Sequence, residues 1–464
     1  MARRVPLVSY WDTEDYLSPP DAGSDDIILH IARSARAAGL KATFCIMGEK
    51  VRSLVGRGRT DVIREIARYH DPLLHFNYGS IHPTTAEMLT TTDWVDGVAL
   101  TLAREAPGFR LLERTFGRCT GLTRHGMHYG AQILCACALE RKAFWDSLVV
   151  LPETPFYWYC GALCFNSQAN YALDTRYREP RFVEHLDDVA ARLEIDRKAG
   201  VQLAALFGHP HRTVCEEFAD VSYYGGRNAL HEDLRGPRRL PPEEVATVKE
   251  HLALLFHRMA RLKGFEVVTV ADLVERYGDR PTEVQARDLK AFATKVLDEG
   301  GPVYTRALSA GEGLLALAEA LVSERGRGRR PATVALRSPL GPLWEPPERP
   351  SDGPLDRSRV IDLALTLRRA TEATGHLPHE APGTAIGLGS ALVLIAEAYL
   401  DGRSAPRSHQ PRSAAPWPAV AEGMAGPIDQ MPHWPCHDPE MDVSRILRFC
   451  RLMSWTLVPA SAAG

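Results

Sequence analysis

Several features are scarce in this 464-residue chain, and each scarcity removes a class of explanation. No apolar run reaches the roughly 20 residues that span a bilayer. The nearest, Ala385 to Leu400, is interrupted by glycines and carries Glu397, so it reads as a buried helix. Charge of one sign is also missing: 55 basic against 58 acidic side chains leave a formal charge of -3, too weak a field to gather nucleic acid or an anionic membrane. The nine cysteines are odd in number and contain no CxxC pair, which excludes a disulfide framework or a zinc knuckle. Cys135 and Cys137 lie two apart in an apolar stretch and read as buried thiols of a reducing compartment. Val5 to Trp11 leads straight into the acids beginning at Asp12, which leaves no apolar segment of roughly 7–15 residues with the cleavage site of an export signal. A cytoplasmic location is therefore expected. No repeat of solenoid period is present.

The composition, 45% hydrophobic, 24% charged and 8% aromatic, is that of an ordinary globular protein able to bury a sizeable core. At roughly 100–200 residues per domain, the length predicts two or three units. Up to residue 280 strand-like and helix-like periods alternate, the pattern of parallel strands joined by crossover helices, and this predicts an α/β domain over residues 1–280. Strands are expected at Val5–Trp11, Ala42–Met47, Pro72–Phe76, Gly121–Thr123, Leu148–Leu151, Phe156–Phe165, Val201–Phe207 and Phe265–Val270. Asp25 is expected to cap a helix whose Ile27, Ile28, Ile31 and Ala35 share one face. Beyond Asp279-Arg280-Pro281 the composition changes. A capping box at Ser309 and Glu312 opens one helix, Arg357 to Thr374 forms a second, and Ser390 to Tyr399 a third. Residues 281–402 therefore read as a smaller, mainly α-helical C-terminal domain, and residues 403–464 as a Pro-rich linker with a terminal helix around Val443 to Trp455.

In parallel α/β barrels catalytic groups sit at the carboxyl ends of strands, so polar residues directly after apolar runs carry the information. Three places stand out. Asp12-Thr-Glu14-Asp15 ends the first strand, and such carboxylates repel one another unless a cation or a hydrogen-bond donor neutralises them. His75-Phe-Asn-Tyr78-Gly79-Ser-Ile-His82-Pro ends the third and offers two imidazoles, common metal ligands. Gly208-His209-Pro-His211 closes a late strand, where glycine permits a sharp turn that lifts the ring into a cleft. Read singly, each is matched by a structural alternative: a solvated acidic loop, a chance pair, a satisfied histidine. Together they would share one rim.

With these three places side by side the chain resembles the polysaccharide deacetylase superfamily, the NodB-homology or carbohydrate esterase four group, over about residues 5 to 278. The resemblance implies a distorted (β/α)7-type barrel and removal of acetyl groups from N-acetylated sugars with a divalent metal, zinc being the expected one. It implies that Asp12 is the catalytic base, Glu14 a metal ligand, and His209 the general acid. His75 matches the first histidine of the family's metal motif. The second is expected four residues later, where this chain has Gly79, and Phe76 stands in place of the usual Ser or Thr. His82 is the nearby substitute, giving Glu14, His75 and His82 as the expected ligands. Arg124-His125-Gly126 falls at the family's Arg-Pro groove motif, so Arg124 would orient Asp12 or the substrate and His125 would contact the substrate. Tyr78, Tyr159 and Tyr223 would stack against a sugar ring.

The expected activity is hydrolysis of an N-acyl sugar or related small amide. The competing reading is a barrel that has lost its metal and binds glycan or a partner protein without turnover, a reading that Gly79 favours. A third places the biological role in the helical C-terminal part as a docking module. Phe218 to Asn228, glycine-bearing and polar, is a candidate lid. Substrate identity and oligomeric state stay open.

Overall fold

The computed structural model describes residues 4–149, 151–174, 176–348, 353–401 and 408–462. Its backbone is one eleven-stranded sheet. The strands are β1 (Val5–Thr13), β2 (Thr43–Ile46), β3 (Asp71–Leu74), β4 (Gly121–Thr123), β5 (Ala143–Trp145), β6 (Phe156–Tyr159), β7 (Ala162–Phe165), β8 (Ala169–Ala172), β9 (Ala204–Gly208) and β10 (Phe265–Val268), with a C-terminal strand at Val458–Pro459. Their spatial order runs from the C-terminal strand through β6, β7, β5, β4, β3, β2, β1 and β9 to β8. β1 is the hub: β9 pairs with Leu7 to Trp11, β10 with Val5 to Val8 and β2 with Tyr10 to Thr13, all parallel.

All nine residues of β1 are buried, as expected for a parallel strand covered on both faces. Side chains alternate across the sheet with period two. Leu7, Trp11, Phe44, Ile46, Leu74, Leu122, Phe144, Cys164, Ala204 and Leu206 point outward into one core shared with the surrounding helices. Val8, Tyr10, Cys45, Leu73, Ala143, Trp145, Phe156, Phe165, Leu203, Ala205 and Val268 point the other way and form a single cluster. Residues on the same face of strands so far apart in the sheet can meet only if it curls around them. Tyr10 makes this concrete, its ring centroid lying 5.5 Å from that of Trp145 on β5 and 5.2 Å from that of Phe207 on β9. The barrel is a curled sheet with extra strands, not a regular seven-stranded cylinder.

Local chemistry explains where the elements differ from expectation. Phe156 to Phe165 is two antiparallel strands, turned by Cys160 and Gly161, both in the left-handed region (φ 52° and 80°) that matches strand twist in a two-residue hairpin. Leu148–Leu151, of which Val150 lies outside the described residues, is not a strand of the sheet; Leu151 makes an isolated bridge to Thr154. Asp25 does not cap its helix: Ser24–Ala37 starts after Gly23, and the buried Asp25 carboxylate is drawn to the Lys50 ammonium at 2.5 Å. The capping box at Ser309 and Glu312 is formed.

The C-terminal part divides differently from the expected helical domain plus linker. Helices Ala286–Glu299, Ala310–Arg327, Arg357–Thr374 and Leu388–Asp401 pack around a core of their own. Within the expected linker, residues 403–407 lie outside the described residues. The segment from residue 419 onward returns to the barrel: Met424, Met431, Ile446, Phe449, Cys450, Leu452 and Met453 belong to the outer barrel core. Helix Ser444–Met453 lies on helix Ala131–Leu139, and Val458–Pro459 pairs antiparallel with β6. Trp455, by contrast, is buried in the helical core, so this segment joins both cores and a separate C-terminal domain is not resolved.

Candidate active site

The alternation that builds the barrel interior also aims the polar residues. Val8 and Tyr10 face inward, so Asp12 and then Glu14, two and four residues on, do the same. His75 follows inward Leu73 by two, and His209 follows inward-facing Phe207 by two. On β4, outward Leu122 leaves Thr123 and then His125 facing in. Five side chains from four strand ends are thereby sent to the carboxyl-end rim of the sheet, the rim on which parallel barrels carry their chemistry.

They meet there. His125 Nε2 lies 2.9 Å from Glu14 Oε2, His75 Nε2 3.7 Å from the same oxygen, and His75 Nδ1 3.8 Å from Asp12 Oδ1. His209 Nε2 stands 3.7 Å from Asp12 Oδ2 and 3.5 Å from Glu14 Oε1. The other His209 nitrogen, Nδ1, is 3.0 Å from both oxygens of Asp174, and the His209 amide donates to Asp174 Oδ1 at 2.8 Å. These groups line a cavity of about 450 Å³ whose other walls include Tyr10, Phe207, Phe218, Tyr224, Trp434, Arg124, Asp146 and Asp220.

Burial and charge act against each other here. Burial pushes the Asp12 carboxyl above its ordinary range, against the pull of His75 and His209. Burial acts the same way on Glu14, but the His125 and His75 imidazoles beside it overcome it and hold this carboxyl well below its ordinary value. Burial would deprotonate His209; the Asp174 carboxylate outweighs it and raises the imidazole to about 10. His125 is raised as well, with Glu14 outweighing burial. The pocket thus holds positive charge against Glu14.

Glu14, His75 and His125 each offer a ligand atom within 4.8 Å of the others, all buried. One carboxylate and two imidazoles form the donor set of open catalytic zinc sites. Around them Asp12 Oδ1, His75 Nδ1 and His125 Nδ1 are buried without a hydrogen-bond partner. The donor types, their spacing and these unsatisfied atoms fit a divalent cation.

His82, expected as the third ligand, is elsewhere. Its Nδ1 is 2.8 Å from Glu87 Oε2 and its Nε2 3.0 Å from the Tyr223 carbonyl, so both nitrogens are spent on structure. The reason lies at Gly79, which adopts φ +54°: a Cβ built there would sit 2.1 Å from Met47 Sδ and 3.5 Å from His125 Cε1. The room a histidine at that position would need is filled by Met47 and by the His125 ring, which arrives from β4. Substrate contact was the expected role of His125; it lines the cavity and also lies with Glu14 and His75 among the ligand-type side chains.

Arg124 does not hold Asp12. Its Nη2 and Nε donate to Asp146 Oδ2 at 2.6 and 3.1 Å, and the pair forms one wall of the cavity. The three expected stacking tyrosines do not line it. Tyr78 is packed under the guanidinium groups of Arg52 and Arg104, Tyr159 is buried and donates to the Cys450 carbonyl at 2.5 Å, and the Tyr223 hydroxyl meets that of Tyr16 at 3.0 Å. Tyr10, Phe207, Phe218, Tyr224 and Trp434 supply the aromatic surface instead. The candidate lid is wedged in place: Ser80 donates to Asp220 at 2.6 Å and the Gly225 amide to the Pro435 carbonyl at 2.8 Å. Asp146 and Asp174 follow β5 and β8, two short strands that the sequence pattern does not reveal, so the carboxyl-end rule did not reach them.

No family model and no curated protein matches the chain. Among solved structures, peptidoglycan deacetylase PdaC from Bacillus subtilis is 13% identical, aligned over 59% of this chain and 91% of its own, with a TM-score of 0.30. A family 4 carbohydrate esterase from Streptomyces lividans is 11% identical over 56% of this chain and 91% of its own, with a TM-score of 0.29. A 4-alpha-glucanotransferase from Thermococcus litoralis is 10% identical over 70% of this chain and 53% of its own, with a TM-score of 0.39. Deacetylases of carbohydrate esterase family 4 are thus among the structures this chain is similar to, at a level that leaves its function to be argued from its own residues.

Proposed function

We propose that the protein is a metal-dependent hydrolase that removes an acyl group from an N-acetylated sugar or a related small amide. The observation that carries this reading is the convergence of Glu14, His75 and His125 beside Asp12 and the His209–Asp174 pair at one end of a cavity of about 450 Å³. Glu14, His75 and His125 would hold the cation, zinc or a similar divalent ion. When bound, it supplies electrophilic polarisation of the acyl oxygen and acidifies the attacking water.

The remaining roles fall to side chains of this chain. Asp12, its basicity raised by burial, takes the proton from the water as it attacks the carbonyl carbon. His209, kept protonated by Asp174 at neutral pH, gives a proton to the departing nitrogen, so that the C–N bond breaks to release an amine and not an amide anion. Asp174 fixes the His209 ring through Nδ1 and leaves Nε2 facing the reacting groups. Five carboxylates line the cavity, namely Asp12, Glu14, Asp146, Asp174 and Asp220, with Arg124 as its guanidinium cation. That balance disfavours anionic substrates and favours a neutral acylated sugar whose product is a cationic amine. Tyr10, Tyr224 and Trp434 offer flat faces for a pyranose ring.

The test is acetate release from neutral chitooligosaccharides by zinc-loaded protein, beside Asp12→Asn and His125→Gln variants. Release by the wild type and its loss in both variants is the expected result. Absence of amide cleavage with any divalent metal would overturn the enzyme reading in favour of a binding protein on the same fold.

A further inference from the structure

Next to the candidate active site, and sharing His125 with it, lies a second group of ligand-type side chains whose other members, His128 and Cys436, the hydrolysis does not use. His125, His128 and Cys436 each offer a ligand atom within 4.8 Å of the others, and all three are buried. His128 follows His125 on the loop after β4; Cys436 comes from the distant segment that folds back over the barrel.

Three independent observations point to an occupant. Both ring nitrogens of His128 are buried without a hydrogen-bond partner, although the residue is 0% exposed. A neutral imidazole carries one donor and one acceptor, and leaving both unmet in a protein interior is costly. His125 has Nε2 on Glu14 at 2.9 Å, while its Nδ1 is buried and unpartnered, so one atom of this ring remains for a second neighbour. Gly126, at φ +46°, is the residue against which the sulfur rests: a Cβ there would come within 2.2 Å of Cys436 Sγ. The loop is therefore shaped to admit the thiol between the two histidines. His437 stands alongside, its ring 4.7 Å from that of His128 and its Nδ1 3.4 Å from Thr84 Oγ1.

We propose that His128 and Cys436, with Nδ1 of His125, form a second, thiolate-containing site for a borderline or soft divalent cation such as zinc, which fastens the C-terminal segment to the barrel rim. Imidazole and thiolate select zinc or cobalt over magnesium or calcium. On binding, the Cys436 thiol releases one proton to solvent, gives up its contact to the Gly126 carbonyl at 3.4 Å, and binds as thiolate. The two sites share His125: with both filled, its ring would bridge the two cations as imidazolate and release its N–H proton to solvent as a second proton, and the second site does not require the first to be catalytic.

The experiment is cobalt titration of the metal-stripped full-length chain. The expected result is two equivalents bound per chain, one of them accompanied by a near-ultraviolet thiolate-to-cobalt charge-transfer band. Cys436→Ser should abolish the band and one equivalent, Glu14→Gln should abolish the other equivalent and keep the band, and His128→Gln provides a second variant should Cys436→Ser fold poorly. Limited proteolysis adds a readout free of spectroscopy: cleavage within residues 431–441 should quicken on metal removal in the wild type and in Glu14→Gln. A single equivalent without the band, or a band that survives in both Cys436→Ser and His128→Gln, would overturn the proposal. A band that persists while amide cleavage is never seen would sink the hydrolase reading and leave this one standing.

Discussion

Two loops at the same rim each present a histidine, and the two rings are used in opposite ways. His82, on the loop after β3, has both nitrogens engaged, one by Glu87 and one by the Tyr223 carbonyl, and so ties the loop to the Asp220 segment. His125, at the end of β4, has one nitrogen on Glu14 and the other without a partner. What would let one ring serve as a ligand while the other serves as a strut is therefore not residue type or loop position but whether the ring nitrogens are already spent. The difference follows from Gly79: the turn there closes against Met47, leaving the adjacent space to the ring from the next strand.

Five substitutions break or sharpen this contrast. Glu14→Gln and His125→Gln should have the largest effect, loss of the active-site metal by elemental analysis with loss of turnover by roughly 10³-fold or more, since metal polarisation is worth several kcal/mol. Asp12→Asn should keep the metal and still lose about 10²–10⁴-fold in kcat, the range of general base catalysis. Asp174→Asn should cost about 10–100-fold, as loss of an orienting partner does, and should also move the pH profile. His209 must be protonated to act, so activity falls as pH rises through its value of about 10; removing the Asp174 carboxylate, the main influence raising it, shifts that alkaline limb to lower pH. The acidic limb belongs to Asp12 and should lie above the ordinary aspartate range, because burial raises this group and protonation disables it as a base. His82→Gln should be mildest. Metal content and turnover stay unchanged, while the denaturation midpoint reports about 1–3 kcal/mol of lost stability from the unmade buried hydrogen bonds. If His82→Gln lost metal and His125→Gln kept it, the assignment of the two rings would be reversed.

Much of the rim was legible from period-two alternation and the carboxyl-end rule, because Asp12, Glu14, His75 and His209 each lie within a few residues of an apolar strand. Asp146 and Asp174 follow short strands, Ala143–Trp145 and Ala169–Ala172, that the sequence pattern did not announce. His125 was visible, yet its role was hidden: nothing local to β4 reveals that Gly79, some forty-six positions earlier, vacates the room for it. The C-terminal segment was the least legible. Cys436, His437 and Trp434 lie in a stretch rich in proline and turn residues, and their partners are Gly126, Thr84 and the cavity wall, roughly 210–420 positions away. Sequence periodicity carries no information about contacts of that separation.

The antiparallel pairing of Val458–Pro459 with Trp158 and Tyr157 sets an order of events during synthesis. Without that partner β6 is an open edge, its backbone groups free to join another chain. At roughly 5–20 residues per second, some 15–60 s separate translation of β6 from that of the strand that covers it. For that interval the nascent barrel carries an adhesive flank.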